Sequence, residues 1–230
     1  MLTLIYGRSG SGKSRSMKNL DPNEVLLVNV QNKMPPFRQK FPRTYVPSGN
    51  VAAVRDGKPI TKGIVQEIED VINKTICKYP STNVIVIDDA GYLMTKTFMA
   101  RHRLMKGNQQ FDLYNEIGDD FWELFNFCSK LPSNINTYIM MHEETSDFGE
   151  TKLKTIGRLL DQKVCLEGCV TICLRCMTDG KQHWFQTQNT GNDISKSPEE
   201  MFPADQIEND LKAVDGMIRE YYGFAESKAS

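Results

Sequence analysis

Residues Gly7 to Ser14 read Gly-Arg-Ser-Gly-Ser-Gly-Lys-Ser, a complete G-x-x-x-x-G-K-S pattern, and they follow directly on the apolar run Leu2-Thr3-Leu4-Ile5-Tyr6. A buried strand feeding a glycine-rich loop constrains the fold strongly. It demands an α/β sheet with the loop at a strand's C-terminal end. In such a loop the backbone N–H groups of Gly7, Arg8, Ser9, Gly10, Ser11 and Gly12 wrap phosphates, Lys13 reaches the β/γ oxygens and the Ser14 hydroxyl ligates Mg²⁺. Gly7, Gly10 and Gly12 let the backbone turn and approach an anion with no Cβ in the way. A helix expected from Lys13 to about Leu20 adds its positive end to the site and stops at Asp21-Pro22.

A second motif supports the first. Asn83-Val84-Ile85-Val86-Ile87 runs into Asp88-Asp89. The β-branched run reads as a central parallel strand buried on both faces. A carboxylate at its C-terminal end lies beside the phosphate loop in an open sheet. Asp88 is therefore the candidate Mg²⁺ residue, and Asp89 is the candidate to orient or polarise a water. ATP and Mg²⁺ are the expected ligand and cofactor.

The chain has 230 residues and a formal net charge of −1. That length buries an ample core in one α/β unit, and the near-neutral balance excludes a bulk nucleic-acid coat while leaving room for a local basic groove. Nothing reads as a signal peptide or a membrane span, so the expectation is a soluble, intracellular protein. Four of the six cysteines are Cys165, Cys169, Cys173 and Cys176. Their spacing fits a paired zinc array poorly, and packing along a strand over Val164–Met177 is the preferred reading over zinc.

The rest of the chain repeats strand, loop and helix. Val25–Val30 reads as a second buried strand. An irregular stretch from Asn32 to Pro59 follows, with short strands around Tyr45 and Val51–Val54 suggesting a hairpin. Thr61–Lys78 has helical periodicity through Ile64, Ile68, Val71 and Ile72. Gly91 to Gln110 is mixed, Phe111–Lys130 is a helix, and Ile135–Met141 is a strand tipped by His142-Glu143-Glu144. A polar stretch, Thr145–Arg158, leads to a late hairpin of Val164–Met177 and His183–Thr187, turned at Asp179-Gly180. A terminal helix spans Ala204–Tyr222. The expected fold is α/β, a RecA-like P-loop NTPase with a mostly parallel sheet flanked by helices, in one domain over residues 1–224 with a frayed tail at 225–230.

Three stretches also resemble a family of phage-encoded RecA-like ATP-binding proteins, some of which assist single-strand annealing and recombination. They are Ile5–Ser14, Lys154-Thr155-Ile156-Gly157-Arg158-Leu159-Leu160-Asp161, and Phe185-Gln186-Thr187-Gln188 running on through Asp193, Ser195–Pro198, Met201-Phe202 and Asn209–Leu211. The resemblance implies an ATPase that converts ATP and water to ADP and phosphate, stimulated by DNA and acting as a ring or filament. It implies an infected bacterial host's cytoplasm as the setting, with single-stranded DNA and a phage recombination or single-strand-binding protein as partners. Such ATPases usually keep a catalytic glutamate at the end of the strand after the first helix. Here that strand ends Asn29-Val30-Gln31, so Asp89 or Glu143 must supply the carboxylate if there is hydrolysis. His142 stands where such folds place a γ-phosphate sensor. Lys152 and Lys154, with Arg158 as a third candidate, resemble cations that a neighbouring subunit inserts, a device worth about 10³–10⁵ in rate. Arg101, Arg103 and Lys106, with Tyr92 and Phe98, resemble a DNA-binding loop in which cations track phosphates and rings stack on bases. Two rival functions remain: a small-molecule nucleotide kinase, and a nucleotide-gated interaction protein with little turnover.

Overall fold

A computed structural model of the chain describes all residues except 50, 56–57, 105, 108, 158–159, 161–162 and 225–230; side chains are additionally left undescribed for 51–62 and 109. Eleven strands run along the described chain: β1 Leu2–Gly7, β2 Val25–Asn29, β3 Thr44–Tyr45, β4 Val51–Arg55, β5 Lys58–Lys62, β6 Val84–Asp88, β7 Asn136–Thr145, β8 Thr151–Leu153, β9 Ile172–Thr178, β10 His183–Gln186 and β11 Gln206–Glu208. The α-helices are α1 Ile64–Lys78, α2 Gly91–Arg101, α3 Gln109–Ser129 and α4 Leu211–Tyr222.

The main sheet runs β11-β10-β9-β1-β7-β6-β2-β3, with β8 paired to the far end of β7. Its core, from β9 through β3, is parallel, and β10 and β11 close one side antiparallel. This is the mostly parallel α/β sheet with a late hairpin that the sequence implies. Because β7 lies between β1 and β6, its tip at His142-Glu143 falls between the phosphate loop and Asp88.

Alternation along the buried strands sorts two packed layers. Leu2, Leu4 and Tyr6 of β1, with Ile85 and Ile87 of β6, face α1, α2 and α3. Ile5, Val84, Val86, Tyr138 and Met140 face the short helix after the loop and α4 through Met17, Leu211, Val214 and Ile218. Each such Leu, Val or Ile contributes about 1.5–3 kcal/mol on burial. A polar clamp fixes α4 on its layer. Asp215 accepts from Asn136 and Tyr138, both at 2.7 Å, and from Arg219 at 2.6 Å. Arg219 then donates to the Asn134 and Asn83 carbonyls.

Several expectations are corrected. The helix after the loop is a 3₁₀ turn, Ser14–Asn19, rather than a longer α-helix. The Ser16 hydroxyl bonds back to the Lys13 carbonyl at 2.6 Å, competing with regular helix, and Pro22 blocks extension. α1 begins at Ile64, because Thr61 and Lys62 belong to β5. β4 pairs with β5 and β3 pairs with β2, so β3 and β4 form no hairpin together; the Asp56-Gly57 turn lies outside the described residues. Gly91–Arg101 is a regular helix whose Leu93 and Met94 are buried. Residues 164–171 are not strand: a 3₁₀ turn, Glu167–Cys169, precedes β9. Cys165 and Cys169 are consequently exposed, as is Cys77, whereas Cys128, Cys173 and Cys176 pack in the core. α4 starts at Leu211, capped by Asp210, after β11. The expected tail at 225–230 lies outside the described residues.

Candidate functional site

The phosphate loop leaves β1 at Gly7. Gly10 and Gly12 hold left-handed φ values of 78° and 109°, which L side chains rarely adopt. Gly7 needs its missing side chain for a different reason. A Cβ there would stand 2.5 Å from the Cys176 carbonyl oxygen of neighbouring β9. Lys13 is 5% exposed and folds back over the loop, donating to the carbonyls of Gly7 at 2.7 Å and Arg8 at 2.9 Å. Burial lowers its pKa, and the carboxylates around it oppose that drop. A buried ammonium held by two neutral carbonyls is the kind of cation that an anion would capture.

Asp88 ends β6 directly opposite. Its Oδ2 accepts from the Ser14 hydroxyl at 2.8 Å, while its Oδ1 is buried without a hydrogen-bond partner among the described residues. Burial, and then the Asp89 charge, push the Asp88 carboxyl upward. A cation would reverse both effects. Ser14 and Asp88 are hard oxygen donors of the type Mg²⁺ takes, and the unpartnered Oδ1 leaves room for a ligand bond, so these residues fit Mg²⁺ and would hold it. When bound, the ion neutralises phosphate charge.

The two candidate water-activating carboxylates are both engaged. Asp89 sits at a left-handed φ of 59° on the turn after β6, a conformation Asp tolerates better than most residues. Its Oδ2 accepts from Lys33 Nζ at 2.7 Å, and its Oδ1 lies 3.2 Å from His142 Nε2. Burial alone would raise its pKa; His142 and Lys33 outweigh that and hold the carboxyl at about 2. The Glu143 side chain is buried, and its two oxygens accept from Arg175 Nε and Nη2 at 2.9 and 3.0 Å. Arg8 lies 3.3 Å from the same carboxylate. Gln31, beyond the end of β2, leaves no acid at that strand tip.

Lys33 is a site residue that local sequence gives no reason to single out. The Asn29 side chain brackets its backbone, donating to the Lys33 carbonyl at 2.7 Å and accepting from its N–H at 3.1 Å. Lys33 also lies over the Tyr92 ring, 5.4 Å from the centroid.

The late hairpin braces the loop from the other side. The Ser11 carbonyl accepts from His183 Nδ1 at 2.7 Å and from the Cys176 thiol at 3.1 Å. Asn209 donates to Cys176 Sγ and accepts from Arg15. Behind them, Asp193 accepts from Tyr6, Gln186, Thr190 and the Ser195 backbone, which ties the 186–195 segment to the last residue before the loop. A cleft of about 320 Å³ runs over this surface, from Lys33, Met34 and Pro35 past Gly12, Asp88 and Asp89 to His183.

The remaining candidates lie apart from this cleft or at its margin. Lys152 and Lys154 stand on and just after β8, with Lys152 3.1 Å from Glu144 and Lys154 exposed. Lys154 lines an adjoining cleft of about 520 Å³ with Arg8, Tyr92 and Glu143. Arg158 lies outside the described residues. Arg101 ion-pairs with Glu116. Arg103 and Lys106 are exposed beyond the end of α2. Phe98 is stacked between His102 and Tyr114, with centroids at 4.7 and 5.5 Å, and packs against the core. Tyr92 packs edge-on to His142 beside the phosphate cleft. The structure therefore gathers Gly7–Ser14, Asp88, Asp89, His142 and Glu143 at the C-terminal ends of the central strands β1, β7 and β6, and leaves Arg101, Arg103 and Lys106 elsewhere.

A glycine-built anion cradle at the end of β1, with a buried lysine closing it and an acid across the gap, defines a P-loop NTPase. The family model for the AAA domain matches residues 1–199, and the chain belongs to this family of P-loop ATPases. No curated protein matches the sequence.

Proposed function

We propose that this ATPase assists DNA recombination or single-strand annealing, working as a homo-oligomer on single-stranded DNA in the cytoplasm of a phage-infected bacterium. One observation carries most of the weight. Gln186, Asp193, Ser195 and Asn209, which belong to one of the two more specific stretches of the resemblance, are linked to Tyr6 and Cys176, and Cys176 in turn donates to the Ser11 carbonyl of the phosphate loop. The residues that carry this part of the resemblance therefore brace the nucleotide site, and that supports the reading. In this reading Mg²⁺ and ATP occupy the loop, Lys152 and Lys154 reach a neighbouring subunit's phosphates, and Arg101, Arg103 and Lys106 hold the DNA backbone.

A second reading, a nucleotide-gated protein with little turnover, is favoured by the carboxylates. Asp89 and Glu143 are both committed to ion pairs, and the β2 tip supplies no acid. ATP turnover measured with and without single-stranded DNA separates the readings. DNA-stimulated turnover that rises with protein concentration supports the first. ATP binding without turnover under either condition supports the second. ATP consumption that requires a nucleoside monophosphate would establish the kinase instead.

A further inference from the structure

Two clefts meet at the end of the phosphate loop. Ser9, Lys33 and His142 line both the cleft over the loop and the larger one beside it, so they mark the boundary between them. Lys33 alone of the three carries a long cationic side chain. Its side chain is 61% exposed and leans on Asp89 alone among the described carboxylates. Its backbone, by contrast, is held tightly. The two hydrogen bonds from Asn29 and the left-handed Asn32 (φ 51°) fix where the side chain starts. The turn after β2 therefore delivers a cation from a fixed base to the edge of the phosphate cleft, at a strand tip that carries no acid of its own.

We propose that Lys33 is the chain's own sensor of the terminal phosphate: it rests on Asp89 and transfers its ammonium to the γ-phosphate when a nucleoside triphosphate binds. This rests on the assignment of Gly7–Ser14 as the nucleotide site. The Lys33 end of the pair is open to solvent, Asp89 keeps His142 at 3.2 Å when the ammonium leaves, and a phosphate oxygen is the more highly charged acceptor. The move also has a consequence within the site. Asp89 loses its closest cation as the phosphate gains one, leaving its carboxylate facing only His142 and able to accept a hydrogen bond from a water. Triphosphate binding and release of Asp89 are then one event. A diphosphate, ending short of Lys33, leaves the Lys33–Asp89 pair intact.

The test compares affinities for Mg²⁺-ADP and Mg²⁺ with a non-hydrolysable ATP analogue by calorimetry, so it needs no turnover. The parent should prefer the triphosphate analogue by about 10- to 100-fold, the worth of one charge-assisted hydrogen bond. Lys33→Ala should bind ADP as the parent does and lose that preference, and Lys33→Arg should retain it. The variant Lys33→Ala with Asp89→Asn distinguishes contact from mere neutralisation of Asp89. If Lys33 touches the phosphate, the double variant shows no preference either; if Lys33 only cancels the Asp89 charge, the double variant recovers it, and the proposal fails. It fails equally if Lys33→Ala keeps the parent's preference, if the parent has none, or if Lys33→Ala also loses ADP. A parent that binds neither nucleotide would overturn the site assignment itself.

Discussion

The phosphate loop and the α2–α3 arm both carry cations suited to a phosphate ligand, and they differ in what surrounds those cations. Lys13 is buried, its partners are two neutral carbonyls of its own loop, and the space it faces is an open cleft. Arg101 meets a carboxylate at once, and its neighbourhood is acidic. Burial and then Glu116 and Glu123 push Asp120 up to about 6, and burial followed by Glu123, Asp70 and Asp120 pushes Glu69 up to about 7. A cation is available to an incoming anion only when its resting partners are weaker than the newcomer. The loop meets that condition by construction, because its partners are backbone dipoles. At Arg101 the arm does not, because Glu116 already holds the guanidinium.

That contrast orders the expected effects. Lys13→Ala should weaken ATP binding by about 100-fold or more, the loss of a buried charge-assisted bond; calorimetry reads it directly. Gly12→Ala comes next. Its φ of 109° and a Cβ placed 2.8 Å from His183 Nδ1 act together. The variant should lose about 1–3 kcal/mol of stability in urea and lose nucleotide binding with it, whereas Ala at exposed Lys106 should do neither. If Gly12→Ala folds and binds like the parent, the loop is not the rigid cradle described above.

Replacing Arg101, Arg103 and Lys106 together by Ala tests the arm. If single-stranded DNA binds there, the log–log salt slope from fluorescence anisotropy should become shallower by about 0.7 for each phosphate the variant no longer neutralises, with ATP affinity unchanged. An unchanged slope would put the DNA elsewhere. The smallest effect is on pH. Glu69 and Asp120 have folded pKa values raised above those of unfolded carboxylates, so the native state holds more protons between about pH 4 and 7 and stability falls as pH rises through that window. The urea midpoint should therefore be higher at pH 5.5 than at pH 7.5. Glu69→Gln should flatten part of that slope; an identical slope would remove the acidic cluster from the comparison.

How much of this is legible in the sequence follows from how each feature is built. β1, β2 and β6 are continuous apolar runs buried on both faces, and the phosphate cradle is eight consecutive residues, so composition and spacing reveal them. α2 reads as irregular because its outward residues are polar and aromatic, although Leu93 and Met94 anchor it in the core. The contacts that tune the site join distant segments. Lys33 and Asp89 are 56 positions apart, His183 and Ser11 are 172 apart, and Arg175 finds Glu143 only because β9 and β7 flank β1. No local pattern encodes such pairs. Gly7 shows the same limit: its place in the motif is plain, but the crowding against Cys176 that excludes a side chain is a property of the sheet.

The central claim, that Gly7–Ser14 and Asp88 form one Mg²⁺–nucleotide site, is tested most directly by titrating ATP with and without Mg²⁺ into the parent and into Asp88→Ala. Ser14 and Asp88 touch at 2.8 Å and Asp88 Oδ1 lacks a partner among the described residues, so the parent should bind ATP more tightly with the ion. Asp88→Ala should lose that gain and keep metal-free binding. An equal loss with and without Mg²⁺ would contradict the metal role of Asp88 and separate the β6 carboxylate from the loop it faces.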